Sequence, residues 1–353
     1  MSALHPEALR EAEPRRTSDW RVERATRASR IAAIVALIVV VALAAAPAWA
    51  GRADMRLLSE IFTYLALACL WNLLAGFAGL VSVGQQAYVG FGGYMLFAFA
   101  ILLGVPPLLT IPIAGVLGAL IAVPVAALIF RLSGAYFAIG TWVIAEVFRL
   151  GFAQVSALGG GSGTSLPAGV VKGIAEGRDL REWIVYWAAF VLVVLVLGVT
   201  WWLLSTRRGL ALAAIRDSEV ASESLGVRIW WTKLTVYVVA AGATSMVGAL
   251  IFLQKLRISP DAAFSVNDWT AYVIFIVVIG GIGTIEGPII GVIVFFLLRE
   301  TLADLGSIYL MILGAVAILV MLKAPRGLWG FVRDRYDLEL FPVRRRVRLD
   351  DGK

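Results

Sequence analysis

The polar residues best placed for chemistry lie in one glycine-dense stretch, Gly76-Phe-Ala-Gly79-Leu-Val-Ser82-Val-Gly84-Gln85-Gln86-Ala-Tyr88-Val-Gly90-Phe-Gly92-Gly93-Tyr94. Ser82, Gln85, Gln86 and Tyr88 supply neutral donors and acceptors inside an uncharged run, and a buried amide must find a partner. Groups of this kind can line a path for a small polar solute. The same glycines serve equally well for plain helix packing, because small residues let backbones approach. Path lining and packing both stand at this point.

Covalent chemistry has little material. His5, in the polar tail, is the only histidine and Cys69 the only cysteine, which excludes an intramolecular disulfide and a cysteine metal site and leaves zinc sites and Ser-His-Asp chemistry almost no material. Gly159-Gly-Gly-Ser162-Gly-Thr164-Ser165 has the glycine density of a phosphate cradle but no lysine, and no GxxxxGK[ST] occurs elsewhere. It reads as a flexible loop, and the chain is expected to hold no cofactor or metal and to hydrolyse no nucleotide. Three acids, Glu60, Glu146 and Glu286, lie in or near apolar segments, where acids are functional candidates by default. Glu60, near a span end, is expected to reach for the interface. Glu146 has Arg149 at i+3 as a helix-surface partner.

Composition says what must position these groups. The chain has 353 residues, 60% hydrophobic and 16% charged, against about 25% charged in ordinary soluble domains. Between Glu60 and Arg131 there is no Asp, Glu, Lys or Arg. A water-facing surface needs charge, whereas an ionised side chain at mid-bilayer costs about 2.5–3.5 kcal/mol. The chain is therefore read as an all-α polytopic membrane protein in a lipid bilayer. Its net charge of +7 sits in tails and loops beside apolar runs, the distribution of topology signals and not of a nucleic-acid face.

Apolar runs predict spans at 31–50, 57–77, 80–103, 108–130, 134–154, 183–204, 234–254, 269–298 and 305–322. About 20 such residues cross ~30 Å of hydrocarbon. A polar basic tail (1–30) and a basic tail (324–353) flank the transmembrane domain (31–323). The positive-inside rule puts both tails, Arg131 and the 205–233 loop in the cytoplasm and 155–182 outside. Three simple crossings after Lys233 would break that parity. Because 269–298 contains Gly280, Gly281, Gly283, Gly287 and Pro288, it is expected to break mid-membrane into a re-entrant pair of half-helices, giving about 8–10 transmembrane segments.

The second motif is Gly209-Leu-Ala-Leu-Ala-Ala-Ile-Arg216-Asp217-Ser218-Glu219-Val-Ala221-Ser-Glu223-Ser-Leu225-Gly226. Good helix formers, with Leu212, Ile215 and Leu225 apolar and Gly226 as a stop, predict an amphipathic helix. It can lie on the bilayer or dock its apolar side in a groove of a cytoplasmic partner.

At these motifs the sequence resembles the permease family of branched-chain amino acid ABC importers, in particular the larger of the two permease subunits. The resemblance rests on Gly79 to Tyr94, on Arg131-Leu-Ser-Gly-Ala-Tyr-Phe-Ala-Ile-Gly-Thr-Trp-Val-Ile-Ala-Glu146, on Arg216-Asp-Ser-Glu219-Val-Ala221 with Leu225-Gly226, on Ser259-Pro260, and on Val278-Ile-Gly280-Gly281-Ile-Gly283-Thr-Ile-Glu-Gly287-Pro288. It covers roughly residues 57 to 325. It implies that Glu219, Ala221 and Gly226, within the segment from Arg216 and Asp217 to Leu225, belong to a coupling loop on an ATPase subunit. It implies as partners a second permease, two cytoplasmic ATPase subunits that use the ATP, and an external solute-binding protein. It also sets the Gly-rich motifs, including Gly92, Gly93, Gly280, Gly281 and Gly283, at the centre near the path, with Glu146 as a further candidate. Gln85-Gln86 stands where relatives often carry Gly-His, and the same architecture serves urea, amides and other small solutes.

The alternative from another class is a stand-alone secondary transporter or channel. It would place ion-coupling acids or a charged ring at mid-membrane, and such residues are scarce, although neutral Gln and backbone carbonyls can hold sodium. A membrane enzyme would need clustered acids, histidines or a nucleophile with its base, and the sequence has none.

Overall fold

The computed structural model describes residues 20–23, 27–175, 177–302, 308–324, 326–336, 340–341 and 346–349. Most of the two expected tails, with His5, Arg344 and Arg345, lies outside the described residues. In lipid a spanning segment must satisfy its own backbone, and apolar runs without strand alternation do so as helices. Helices α1 (Arg27–Ala44), α2 (Arg52–Asn72), α3 (Gln85–Leu102), α4 (Pro107–Ile129) and α5 (Ala135–Ala153) come first. A short α6 (Ala168–Ile174) precedes α7 (Arg178–Ser205), the small α8 (Arg207–Asp217) and α9 (Glu219–Ser224), and α10 (Ile229–Lys255). The chain continues through α11 (Pro260–Ala263), α12 (Tyr272–Gly280), α13 (Glu286–Leu302), α14 (Ile308–Lys323) and α15 (Gly327–Tyr336). Among the described residues, seven helical segments are long and apolar enough to cross a membrane. The apolar α1, α3 and α13 are shorter or more polar and lie among them.

The bundle has two distinct ends. At one, Arg52 and Arg56 on α2 pair with Asp179 and Glu182 on α7, and Glu60 on α2 pairs with Arg299 on α13 at 2.7 Å. The same end carries the loop after α5. The other end carries α8 and α9. Strands β1 (Trp20–Glu23) and β4 (Arg346–Leu349) pair antiparallel, so the two ends of the described chain meet.

Helix α3 is the hub and is buried on most of its faces between α4, α5 and α10. Its glycines make this possible. A Cβ on Gly92 would lie 1.9 Å from the Ser245 carbonyl oxygen of α10, and one on Gly248 of α10 would lie 2.1 Å from the Val89 oxygen. Apolar surface gains nothing by leaving lipid for protein, so close backbone packing must carry this association.

The structure departs from the sequence expectations in four places. Helix α3 starts at Gln85, not near residue 80: a π-helical turn (Leu73–Phe77) and Gly79, at φ +70°, lead into a non-helical stretch. Hydropathy cannot reveal this, because the unwound residues are as apolar as their helical neighbours. The break expected in 269–298 is present, but its legs are not half-helices. The first leg runs from Pro260 to Gly280, 21 residues, interrupted at Phe264 and Ser265. It is helical from residue 266 on, about 22 Å at helical rise, and α13 carries Arg299 back to Glu60. Even parity is thus restored by two full passes, and the turn, with Gly281 at φ +134° and Gly283 at φ +75°, lies at the α8–α9 end. Asn267 and Asp268, just before the apolar run, hid the start of the first leg.

Third, the amphipathic stretch from Gly209 to Gly226 is two helices. Ser218 is extended and caps α9 by accepting the Ala221 N–H at 3.3 Å, so it ends one helix and starts the next. Fourth, the loop at Gly159–Ser165 is tied down: strand β2 (Thr164–Ser165) pairs with β3 (Arg257–Ile258) beyond α10.

Candidate functional site

The unwound stretch after the π-turn ends in the two glutamines. Trp71 donates from Nε1 to the Ser82 carbonyl at 2.8 Å, and the Gly84 N–H donates to Ser82 Oγ at 3.1 Å. Gln85 donates from Nε2 to the Leu67 carbonyl of α2 at 3.0 Å, and Gln86 Oε1 accepts from Thr270 Oγ1. Tyr88 shares a 3.0 Å hydroxyl contact with Tyr237 of α10, their rings edge to face. All four predicted side chains are buried. Gln85 Oε1 and Gln86 Nε2 are buried without a hydrogen-bond partner, a cost of about 1–3 kcal/mol each unless something meets them. The space beside Ser82, Gln85, Tyr88 and Tyr237 is about 10 Å³, on the order of one water-sized sphere. A solute does not fit there within this chain alone.

A second polar cluster joins α8 to the bundle. Arg216 donates from Nη1 to the Gly76 carbonyl at 2.9 Å, gripping the π-turn that precedes the unwound stretch. Asn72, one turn earlier, accepts the Gly283 N–H at 2.8 Å and donates to the Thr284 carbonyl at 2.7 Å. Thr284 Oγ1 in turn donates to the Gly281 carbonyl and accepts the Gly287 N–H. Arg216, the π-turn and the α12–α13 turn thus form one continuous junction.

Helix α8 is anchored by Leu212 and Ile215, both buried, whereas α9 buries only Ser222. Val220 and Leu225 are 79% and 80% exposed, so Leu225 does not share the buried side of Leu212 and Ile215. Glu219 pairs with Lys233 of α10 at 2.5 Å, Asp217 lies 3.7 Å from Arg216, Ala221 supplies the capped N–H, and Gly226 at φ +80° stops the helix.

The structure does not gather all the predicted residues into one place. Gly92 and Gly93 face Ser245 and Phe252 of α10, a packing position. Gly280, Gly281 and Gly283 belong to the junction with Arg216 and lie away from the glutamine pair. Glu146 sits on α5, among whose span residues only 17% are buried, and pairs with Arg149, which also reaches Asp261 at 2.8 Å. Glu60 does not simply reach for the interface but is held by Arg299. Glu286 is buried and accepts the Phe341 N–H at 2.9 Å.

Three residues that complete these clusters escaped the sequence reading: Asn72, Thr270 and Tyr237. Asn72 carried a usable signal, since a lone amide in an apolar helix seeks an interhelical partner. Thr270 and Tyr237 carried none, because their partners come from distant helices.

Comparison with known proteins adds a family. Residues 55–321, from α2 to α14, match the family described as branched-chain amino acid transport system, permease component. The high-affinity branched-chain amino acid transport system permease protein LivM of Escherichia coli (strain K12) is 28% identical over 324 residues, covering 84% of this chain and 75% of its own length. Its namesake in Salmonella typhimurium is 27% identical with the same coverage. The probable branched-chain amino acid transport permease protein LivM of Methanocaldococcus jannaschii is 26% identical over 188 residues, 53% of this chain and 52% of that protein. No solved structure matches. With well over half its length matched, this multi-pass chain belongs to the permease-component family of branched-chain amino acid transport systems.

Proposed function

We propose that this chain is the membrane-spanning permease subunit of an ABC importer in a bacterial inner membrane, moving branched-chain amino acids or related small solutes inward. The observation that carries it is α9, whose Val220 and Leu225 are buried against nothing in their own chain. Such a short capped helix suits the groove of a partner. In this reading two cytoplasmic ATPase subunits dock there and use the ATP, so the chain itself needs no cofactor. A second permease completes the path and an external binding protein delivers the solute. Arg131, Arg207, Arg208, Arg216 and Arg228 favour the cytoplasm for the α8–α9 end, and with it both tails.

Motion of α9 and α8 reaches the centre through Arg216, the Gly76 carbonyl and the unwound stretch. Ser82, Gln85, Gln86 and Tyr88 border the path where the neighbouring permease closes it, and Glu146 on the little-buried α5 can join only through that neighbour. A Gln85→Leu/Gln86→Leu variant is expected to lose uptake by about tenfold or more, the effect of roughly 1.4 kcal/mol, while still recovering ATPase subunits. Uptake at the wild-type rate would reduce the two amides to packing.

The test of the whole reading is affinity purification from native membranes in mild detergent, with mass-spectrometric identification of what accompanies the chain. Recovery of an ATPase subunit and a second permease supports it. Recovery of the chain alone, still transporting in ATP-free liposomes, would replace it with a secondary transporter.

A further inference from the structure

A cavity of about 660 Å³ opens at the end of the bundle opposite α8 and α9, within the size range of small-molecule sites. Six helical segments build it: α2, α7, the end of α10, α13 through Arg299, α14 through Tyr309, and the stretch from Asp268 to Tyr272. That stretch begins in a second π-helical turn (Asn267–Ala271), a feature frequent at functional sites. Two of the acids lining the cavity are already neutralised, Glu60 by Arg299 and Glu182 by Arg56. One acid, Asp268, and two bases, Lys255 and Arg181, are left over. Among the described residues, neither the Asp268 carboxylate nor the Lys255 ammonium has an ion-pair partner within 4 Å. Lys255 is held over the Trp269 ring, 4.6 Å from its centroid.

Three buried polar atoms without hydrogen-bond partners belong to residues of the same wall: Glu182 Oε2, Gln254 Nε2 and Tyr309 Oη. Native structures leave few such atoms, and each asks for an explanation. Beside them Val185, Ile251, Leu253 and Trp269 form an apolar side. A bare anion would leave Asp268 unanswered and a bare cation would leave Lys255 unanswered. A ligand with one ammonium, one carboxylate and an aliphatic group answers all three surfaces. We propose that this cavity is a binding site for a free aliphatic α-amino acid in zwitterionic form, held by Asp268 at its ammonium and Lys255 at its carboxylate. The proposal deepens the importer reading, since it gives the permease its own contact with solute, apart from any binding protein.

The experiment is calorimetric titration of the purified full-length chain, with whatever subunits accompany it and no binding protein. The probes are L-leucine, 4-methylpentanoate (no ammonium), 3-methylbutylamine (no carboxylate) and glycerophosphoethanolamine, a lipid headgroup zwitterion. Saturable leucine binding, at least tenfold weaker for both one-charge analogues and for the headgroup, is expected. Asp268→Asn and Lys255→Gln should each weaken leucine at least tenfold, with Asp268→Asn narrowing the gap between leucine and 4-methylpentanoate. Thermal melting without ligand checks that both variants fold. Absence of leucine binding to the wild type, unchanged binding in folded variants, or preference for the headgroup would each overturn the site. If ATPase subunits are still recovered in that case, the importer reading survives; their absence would sink that reading whatever leucine does.

Discussion

A Val220→Asp/Leu225→Asp chain is expected to insert and fold normally, recover no ATPase subunit and transport at background. Both side chains are about four-fifths exposed, so their loss removes little packing from the chain itself. The anchoring of α8 by Leu212 and Ile215 is untouched. If α9 docks in a partner, each apolar residue is a candidate anchor. Such anchors contribute about 2 kcal/mol or more when central to an interface, and a charge in their place adds a desolvation cost. Two of them would weaken the complex by roughly a thousandfold, taking additivity as an upper bound. The measurement is the ATPase recovered per mole of chain, beside uptake in the same membranes. Recovery at the wild-type level would mean that α9 lies in the headgroup region and that the coupling surface is elsewhere. Glu219→Lys is expected to fail as well, but it is a less clean probe. Glu219 is paired with Lys233, so the change sets two ammonium groups side by side and can act by loosening α9 from α10.

Gly92→Ala is expected to leave little folded protein, although it adds a single methyl group. That methyl would sit 1.9 Å from the Ser245 carbonyl oxygen, and the obstacle is backbone that cannot rotate aside. Helix α10 would have to move away from α3, taking with it the contact of Gly248 with Val89. Overpacking in a rigid core costs about 1–3 kcal/mol and sometimes more. Gly198→Ala on α7 is the control, because nothing lies within 4 Å of its added Cβ. It should be neutral or stabilising by up to about 1 kcal/mol, from helix propensity. Size-exclusion profiles and melting temperatures in detergent separate the two. A Gly92→Ala chain that melts like the wild type but transports abnormally would return Gly92 to the path.

These two variants bracket what could be read in advance. Spans such as α4 and α7 were legible because a charge-free apolar run of about 20 residues has one solution in lipid. The break after Gly280 was legible because Gly281 and Gly283 accept backbone that other residues avoid. The depth of that break was not, since it depends on how far the leg before it extends beyond Asp268, where the apolar signal stops. Nor could hydropathy show that residues after Gly79 leave the helix. The motif around Glu219 announced a surface helix, yet its division at Ser218, which frees α9 while burying α8, is a matter of one side-chain cap. Least legible was the charged cavity. Glu60, Glu182, Lys255 and Asp268 are far apart in sequence, and each alone resembles an ordinary charge at a span end.

The π-turn at Leu73–Phe77 has a kinematic consequence. A π-turn carries one residue more than the α-helical turn it replaces, so it is a store of slack. Drawing that residue out would screw the following chain round by about 100° and advance it by about 1.5 Å. Ser82 and Val83, held by Trp71 and Thr141, are the next fixed points along the chain, followed by Gln85 and Gln86, and the Gly76 carbonyl within the store is clasped by Arg216. Slack held in this way is a clutch: the centre can turn only when α8 lets go.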